Sequence, residues 1–207
     1  MCEFHEPGLE PLDHDEYVLD TPVIREFIER VQRHREAAAN PAQAVSAIEP
    51  DFTQLMRSQD WLPDEYQHDA PESSMGGGIG QWLLFRAADR SLSLFSLVVP
   101  AGSRTPIHDH LAWGLIGLYR GNQDEEFFRP EDGRLAGIRR RALEPGDWYA
   151  LLPPEHDIHR VTTTSAATSV SIHLLANDTG CVNRHVFDES TGATSPFRSG
   201  WVNSRCD

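Results

Sequence analysis

Two histidines one residue apart, His108 and His110, stand in TPIHDHLAWG, residues 105–114, a stretch that otherwise reads as a buried strand. Alternate residues of a strand share a face, so the two imidazoles point one way and Asp109 the other. Such a pair can be two hydrogen-bonded rings at a strand end, or two ligands of one metal ion. Further along, GDWYALLPPEHDIH, residues 146–159, reads as a Gly-Asp turn, an apolar strand, a Pro turn and then His159. Two imidazoles from one strand and a third from another would cap one face of an ion. The remaining coordination positions would stay open for substrate and oxygen.

The elements that must hold these residues follow from composition and punctuation. A chain of 207 residues with 39% hydrophobic residues suits one domain, or one domain with a helical extension. No run approaches the length and apolarity of a membrane-spanning helix. The N-terminal MCEFHEPGLEPLDHDEY is acidic and lacks the apolar core of a signal peptide. A net charge of −14 argues against nucleic acid and against anionic membrane surfaces as partners. The three cysteines, Cys2, Cys181 and Cys206, are widely spaced, which predicts neither a disulfide framework nor a zinc ribbon. A reducing cytoplasm is the expected location.

The chain changes texture near residue 76. Before it, Thr21 can cap a helix with Pro22 at its first position. Val23, Ile24, Phe27, Ile28 and Val31 then follow a helical period, and the face at Val23, Phe27 and Val31 is expected to be buried. Asn40-Pro41 predicts a short helix over 42–48, and Pro50 a second one through Leu55 and Met56. Trp61-Leu62-Pro63 reads as an apolar anchor, and SSMGGGIG, residues 73–80, as a hinge or turn.

After residue 76, short β-rich runs dominate: QWLLF, SLSLFSLVVP, WGLIGLYRG, WYALLP, HRVTTT and ATSVSIHLLA. Gly and Pro turns separate them and no helical pattern intervenes, which predicts a sandwich or barrel rather than parallel βαβ units. The expected organisation is a helical segment over 1–75, an all-β barrel over 76–182 and a C-terminal wrap over 183–207.

Together these motifs resemble the cupin superfamily, a jelly-roll-like β-barrel fold. The first motif runs from Gly102 through His108 and His110 to Gly121, the second from Gly146 through Pro154 to His159. Many cupins add a glutamate ligand four or five residues after the second histidine. Gly114 and Leu115 stand there, so the ligand set is three histidines. That set, with SVSIHLLAND and NRHVFDESTGATSPFRSGW, resembles the bacterial thiol dioxygenases that act on cysteine or 3-mercaptopropionate. The match covers roughly residues 80–201. The resemblance implies iron(II) at His108, His110 and His159, a small carboxylated thiol as substrate, and dioxygen oxidising its sulfur to a sulfinate. Three neutral imidazoles leave the ion its full charge, which favours capture of a thiolate. By the Irving–Williams order, nickel(II) would bind the same donors more tightly than iron(II).

Ser169, Ser171, His173 and Leu175 share one strand face, and Val170, Ile172 and Leu174 the other. A polar face here is either solvated or lines a cavity. The resemblance places Ser171 and His173 as the first two members of a catalytic Ser-His-Tyr relay. The tyrosine is missing, because residue 175 is Leu175. By the same resemblance Arg184 binds the substrate carboxylate, with Gln81 lining the substrate site. Without it, Arg184 reads equally as a surface charge. The absent phenol opens a second outcome, a diverted cysteine oxygenase whose product is a sulfonamide or a decarboxylated species. A third reading is a metal-bound cupin that senses a ligand without turnover. His156 is expected to cap a turn. His5, His14, His34, His68 and His185 are expected at the surface, Arg139-Arg140-Arg141 on a solvated strand edge, and Glu125-Glu126 facing solvent.

Overall fold

The computed structural model describes residues 9–58 and 60–206; Cys2 and His5 lie outside them. In chain order the elements are β1 (Glu16–Tyr17), α1 (Pro22–Ala37), α2 (Pro41–Arg57), a short 3-10 turn (Asp64–Tyr66), β2 (Gly80–Arg86), β3 (Ser93–Val99) and β4 (Ile107–His108). They continue with β5 (Gly114–Arg120), β6 (Gln123–Glu131), β7 (Arg134–Leu143), β8 (Trp148–Leu151), β9 (His159–Thr163), β10 (Ser169–Leu175), β11 (Arg184–Phe187) and β12 (Thr194–Phe197).

Both long helices start as the sequence predicts. Thr21 accepts the Ile24 N–H at 3.3 Å and Asn40 accepts the Gln43 N–H at 3.0 Å, each with a proline in the first turn. Two expectations fail. Val23 is 46% exposed, whereas Ile24, Phe27, Ile28 and Val31 are buried. At about 100° per residue, Val23 falls roughly a quarter-turn off that stripe. The second failure concerns Pro50, which does not divide two helices but lies inside α2. Its ring faces solvent, where water can serve the carbonyl that loses its amide partner. The stripe Ala44, Val45, Ile48, Phe52, Leu55 and Met56 is buried along the whole length of α2, and that burial outweighs the interior proline.

The strands form two six-stranded antiparallel sheets packed as a β-sandwich. One has the order β1-β2-β3-β10-β5-β8, the other β12-β11-β4-β9-β6-β7. The helices cover the outer face of the first sheet through Leu84, Leu94, Val98, Leu115, Ile172 and Leu174. Gly117 makes the close approach possible, since a Cβ there would meet Phe52 and Met56 at 3.0 and 3.1 Å. Between the sheets lies a second core that includes Leu83, Phe95, Ile116, Phe127, Val161 and Leu175.

The β6–β7 hairpin and the pairing of β11 with β4 extend the second sheet beyond the strands read from the sequence. Arg139 and Arg140 are exposed on β7, the edge strand, as expected. The reading of the cysteines is corrected: Cys181 and Cys206 form a disulfide with Cα atoms 5.2 Å apart. Their separation of 25 residues hid a contact made by the chain's return to the barrel. Among the described residues, no helix is long and apolar enough to cross a membrane.

Candidate metal centre

His108 and His159 are direct cross-strand partners on β4 and β9. His110, two residues on and just beyond the end of β4, brings its ring to the same cluster. The three rings stand 4.7–5.0 Å apart by centroid, and their ligand atoms all lie within 4.8 Å of one another. All three residues are buried.

Each ring has its Nδ1 engaged. His108 Nδ1 donates to the Pro106 carbonyl at 2.9 Å, and His110 Nδ1 faces the Asp157 carbonyl at 3.3 Å. His159 Nδ1 meets Glu125 Oε2 at 2.8 Å and the Tyr149 hydroxyl at 3.2 Å. These contacts select the tautomer that leaves Nε2 as a lone-pair donor. His159 Nε2 is fully buried with no hydrogen-bond partner, the condition of a nitrogen that fits a metal ion. Burial, reinforced by neighbouring His159 and Arg184, holds the His108 and His110 rings well below the ordinary histidine pKa. Both are therefore neutral and able to ligate near pH 7.

Glu125 corrects the expectation of a solvent-facing pair. Its side chain is fully buried beside His159, while Glu126 points outward to Arg160 at 2.9 Å. The signal was the alternation in QDEEFF, because Gln123, Glu125 and Phe127 share one face and Phe127 belongs to the core. Tyr149 was also missed; burial, then the charge of Glu125, pushes its phenol well above its usual pKa. Asp157 was not singled out either. Its Oδ1 accepts the His110 backbone N–H at 2.8 Å, and burial raises its pKa.

The polar face of β10 turns into the interior rather than to solvent. Ser171 Oγ and His173 Nε2 are 2.9 Å apart, and His173 stacks on Phe95. The His173 ring lies 6.5 Å from that of His110, and its Nδ1 is buried without a partner. Burial depresses its pKa strongly. Leu175 is fully buried in the same inner core.

Arg184 is no surface charge. It is 1% exposed, and burial lowers its pKa to about 10. Its Nη1 donates to the carbonyl of Asp109, between the two histidines of the first motif, at 2.9 Å. Its Nη2 donates to Ser199 Oγ at 2.7 Å, and Gln81 Nε2 donates to the same oxygen at 3.1 Å. Ser199 thus joins two residues named from the sequence, although it was not itself identified there. Arg184 Nε is buried and has no acceptor. His156 occupies a left-handed turn with φ 61° and rests edge-on against the Phe127 ring. His14, His68 and His185 are exposed, with His185 Nδ1 2.7 Å from Asp109; His34 is half-buried against Asp51.

No protein-family profile matches the sequence. Among solved structures, the chain is similar to an oxalate oxidase at 14% identity and TM-score 0.37, over 44% of this chain and 45% of that one. It thus spans less than half the length of that protein. It is similar to a cupin 2 domain-containing protein from Halorhodospira halophila at 18% identity and TM-score 0.34, over 52% and 58% of the two chains. It is also similar to a conserved protein with a double-stranded β-helix domain from Klebsiella pneumoniae subsp. pneumoniae MGH 78578. That match is 11% identical with TM-score 0.41, over 68% and 97% of the two chains.

Proposed function

We propose that this chain is a mononuclear metal-dependent cupin oxygenase that oxidises the sulfur of a small carboxylated thiol with dioxygen. The observation that carries the reading is the trio His108, His110 and His159, with every Nδ1 engaged and His159 Nε2 buried without a partner. Iron(II), or nickel(II), held by these nitrogens would bind the thiolate and mediate its reaction with dioxygen.

The chain's own residues supply the remaining roles. Arg184, cationic and buried beside the trio with Nε unpaired, offers a charged donor to a substrate carboxylate. Ser199 Oγ accepts from that guanidinium and, in turn, from Gln81 Nε2. Ser171 and His173 form a buried proton-handling pair on the strand face that continues to Leu175. Cysteine and 3-mercaptopropionate carry the thiol, the carboxylate and the small size that this arrangement suits.

A specific observation favours a second outcome at the same site. Leu175 brings an apolar side chain where the relay would need a phenol, and the buried phenol of Tyr149 is committed behind His159. Proton delivery then differs, and a sulfonamide or decarboxylated product becomes the alternative to sulfinate.

The test is oxygen uptake by iron-loaded and nickel-loaded protein with a panel of small thiols, followed by product identification. Uptake confined to carboxylated thiols is the expected result. Tight thiol binding with no uptake for either metal would replace the oxygenase by a ligand sensor.

A further inference from the structure

Ser199, one of the two residues that hold the Arg184 guanidinium, lies with Arg184 inside a covalent ring. The Cys181–Cys206 disulfide closes a loop that contains Arg184 itself and the terminal strap 198–206. The strap returns across the barrel and fastens to it at several points. Gly200 N donates to Gly180 O, Val202 N to Gln81 O, and Trp201 Nε1 to Asp178 Oδ1 at 2.9 Å. Trp201 also packs edge-on against Phe95, the ring on which His173 stacks. Gly180 permits this seating, because a Cβ there would meet the Trp201 ring at 2.4 Å. Ser199, Gly200 and Trp201 line a cleft of about 530 Å³ together with Gln81. Strap and cleft are therefore joined to Arg184 through Ser199.

We propose that the Cys181–Cys206 disulfide is a thiol-responsive clamp: closed, it seats Ser199 on Arg184 and Gln81; opened by small thiols, it releases the strap and loosens carboxylate recognition. The proposal rests on the reading that small thiols are this protein's substrates, which would expose the disulfide to them.

The two sulfurs are unequal. Cys181 is fully buried, whereas Cys206 is only half-buried at the end of the strap. A thiolate attacks Cys206 Sγ, forming a mixed disulfide and releasing Cys181 as thiolate. Arg86 Nη1 lies 3.8 Å from Cys181 Sγ, so the leaving thiolate forms beside a cation. A second thiolate then attacks the small molecule's sulfur in the mixed disulfide, releasing Cys206 and a symmetrical small disulfide. Two thiols are oxidised, one protein disulfide is reduced, and the two protons lost by the thiols end on Cys181 and Cys206.

The experiment uses the metal-free full-length protein with 3-mercaptopropionate under anaerobic conditions, where no turnover occurs. Alkylation and peptide mass mapping report the state of Cys181 and Cys206, and amide hydrogen exchange reports the strap. We expect both cysteines to become alkylatable. Exchange across 199–205 should rise on the order of ten-fold or more, while β3 and β10 keep their protection. A disulfide that survives the thiol, or one that opens without faster exchange in the strap, overturns the proposal. Cys206→Ser should show the same exchange change with no thiol present; if that variant does not fold, the thiol-treated parent carries the test. Ser199→Ala, with the disulfide intact, should raise KM for 3-mercaptopropionate more than for a thiol lacking a carboxylate. Equal effects on the two would remove Ser199 from recognition and defeat the proposal. Oxygen uptake is read separately, so a clamp that opens in a protein consuming no oxygen retires the oxygenase reading and leaves the thiol-responsive clamp standing.

Discussion

Glu125 Oε2 lies 2.8 Å from His159 Nδ1, and both side chains are wholly shielded from solvent. The other two histidines lean on backbone carbonyls of Pro106 and Asp157. His159 has a carboxylate in direct hydrogen-bond contact with its Nδ1, which fixes its ring orientation, whereas the Asp157 carboxylate stands 3.6 Å from His110 Nδ1. Glu125→Ala should therefore weaken metal binding by roughly 10–100-fold, with Glu125→Gln intermediate because it keeps an acceptor and removes the charge. A competition titration with a chelator measures this. Unchanged affinity in the alanine variant would mean that the carboxylate only fills space.

Replacing any one of His108, His110 and His159 by alanine should sharply reduce metal content after purification and reloading. The double variant His108→Ala, His110→Ala leaves one donor of the trio and should bind almost none. Elemental analysis decides the matter, and stoichiometric metal in the double variant would place the ion elsewhere.

The buried rings also predict how the metal-free protein responds to acid. Burial lowers the pKa values of His108, His110 and His173 well below the ordinary value near 6.5. The unfolded chain therefore takes up protons first as pH falls. Stability is complete above about pH 6.5 and declines as pH drops toward the depressed folded values. Each group contributes up to about 1.4 kcal/mol per pH unit, so the three together lose up to roughly 4 kcal/mol one unit below 6.5. Urea unfolding of metal-free protein at about pH 7 and about pH 5.5 measures the loss. Metal loading should reduce it, because bound nitrogens do not accept protons until the ion leaves. Equal stability at both pH values would contradict the neutral, buried state of these rings.

Much of this architecture can be read from the sequence where a periodic pattern meets a strong local signal. Thr21-Pro22 and Asn40-Pro41 set the helix starts, and the HxH spacing put two rings on one face. Ser171, His173 and Leu175 follow the same period-2 rule. Pro50 misled because helix-breaking propensity is local, whereas the stripe that keeps α2 continuous is satisfied only by docking on β5. Glu125 misled because charge suggests solvent, and the opposing cue, its alternation with Phe127, lies in a hairpin not recognised as strands. Ser199 and the Cys181–Cys206 bond were out of reach for another reason. They depend on where the C-terminal segment crosses the barrel, and no local pattern encodes that path.

Arg184 has two of its three nitrogens committed, to Asp109 O and Ser199 Oγ, and a third left open in a buried site. If a substrate carboxylate takes that position, Arg184→Ala should raise KM chiefly, by the equivalent of about 1.5–3 kcal/mol of charged hydrogen bonding. A thiol without a carboxylate should be far less sensitive. Steady-state oxygen uptake with the two substrate types separates the outcomes. Normal turnover of carboxylated thiols by the variant would remove Arg184 from substrate binding. The Arg184→Lys variant keeps the charge but loses the planar fork, and should recover only part of the loss.

Leu175 shares its strand face with Ser171 and His173 and is fully enclosed. Leu175→Tyr would add a phenol on the same face as the Ser171–His173 pair. The change also overpacks a tight position, since Leu175 Cδ2 already lies within 2.7 Å of where a Cβ on Gly114 would stand. A destabilisation of about 1–3 kcal/mol is expected from that crowding. The chemical effect should appear separately, as a shift of the product distribution toward sulfinate with a smaller change in KM. Leu175→Phe controls for bulk, because it adds the ring without the hydroxyl. If Leu175→Tyr and Leu175→Phe give the parent's product spectrum, residue 175 does not govern how the oxidised sulfur is resolved. A shift toward sulfinate in the tyrosine variant alone would assign that control to a proton donor at this position.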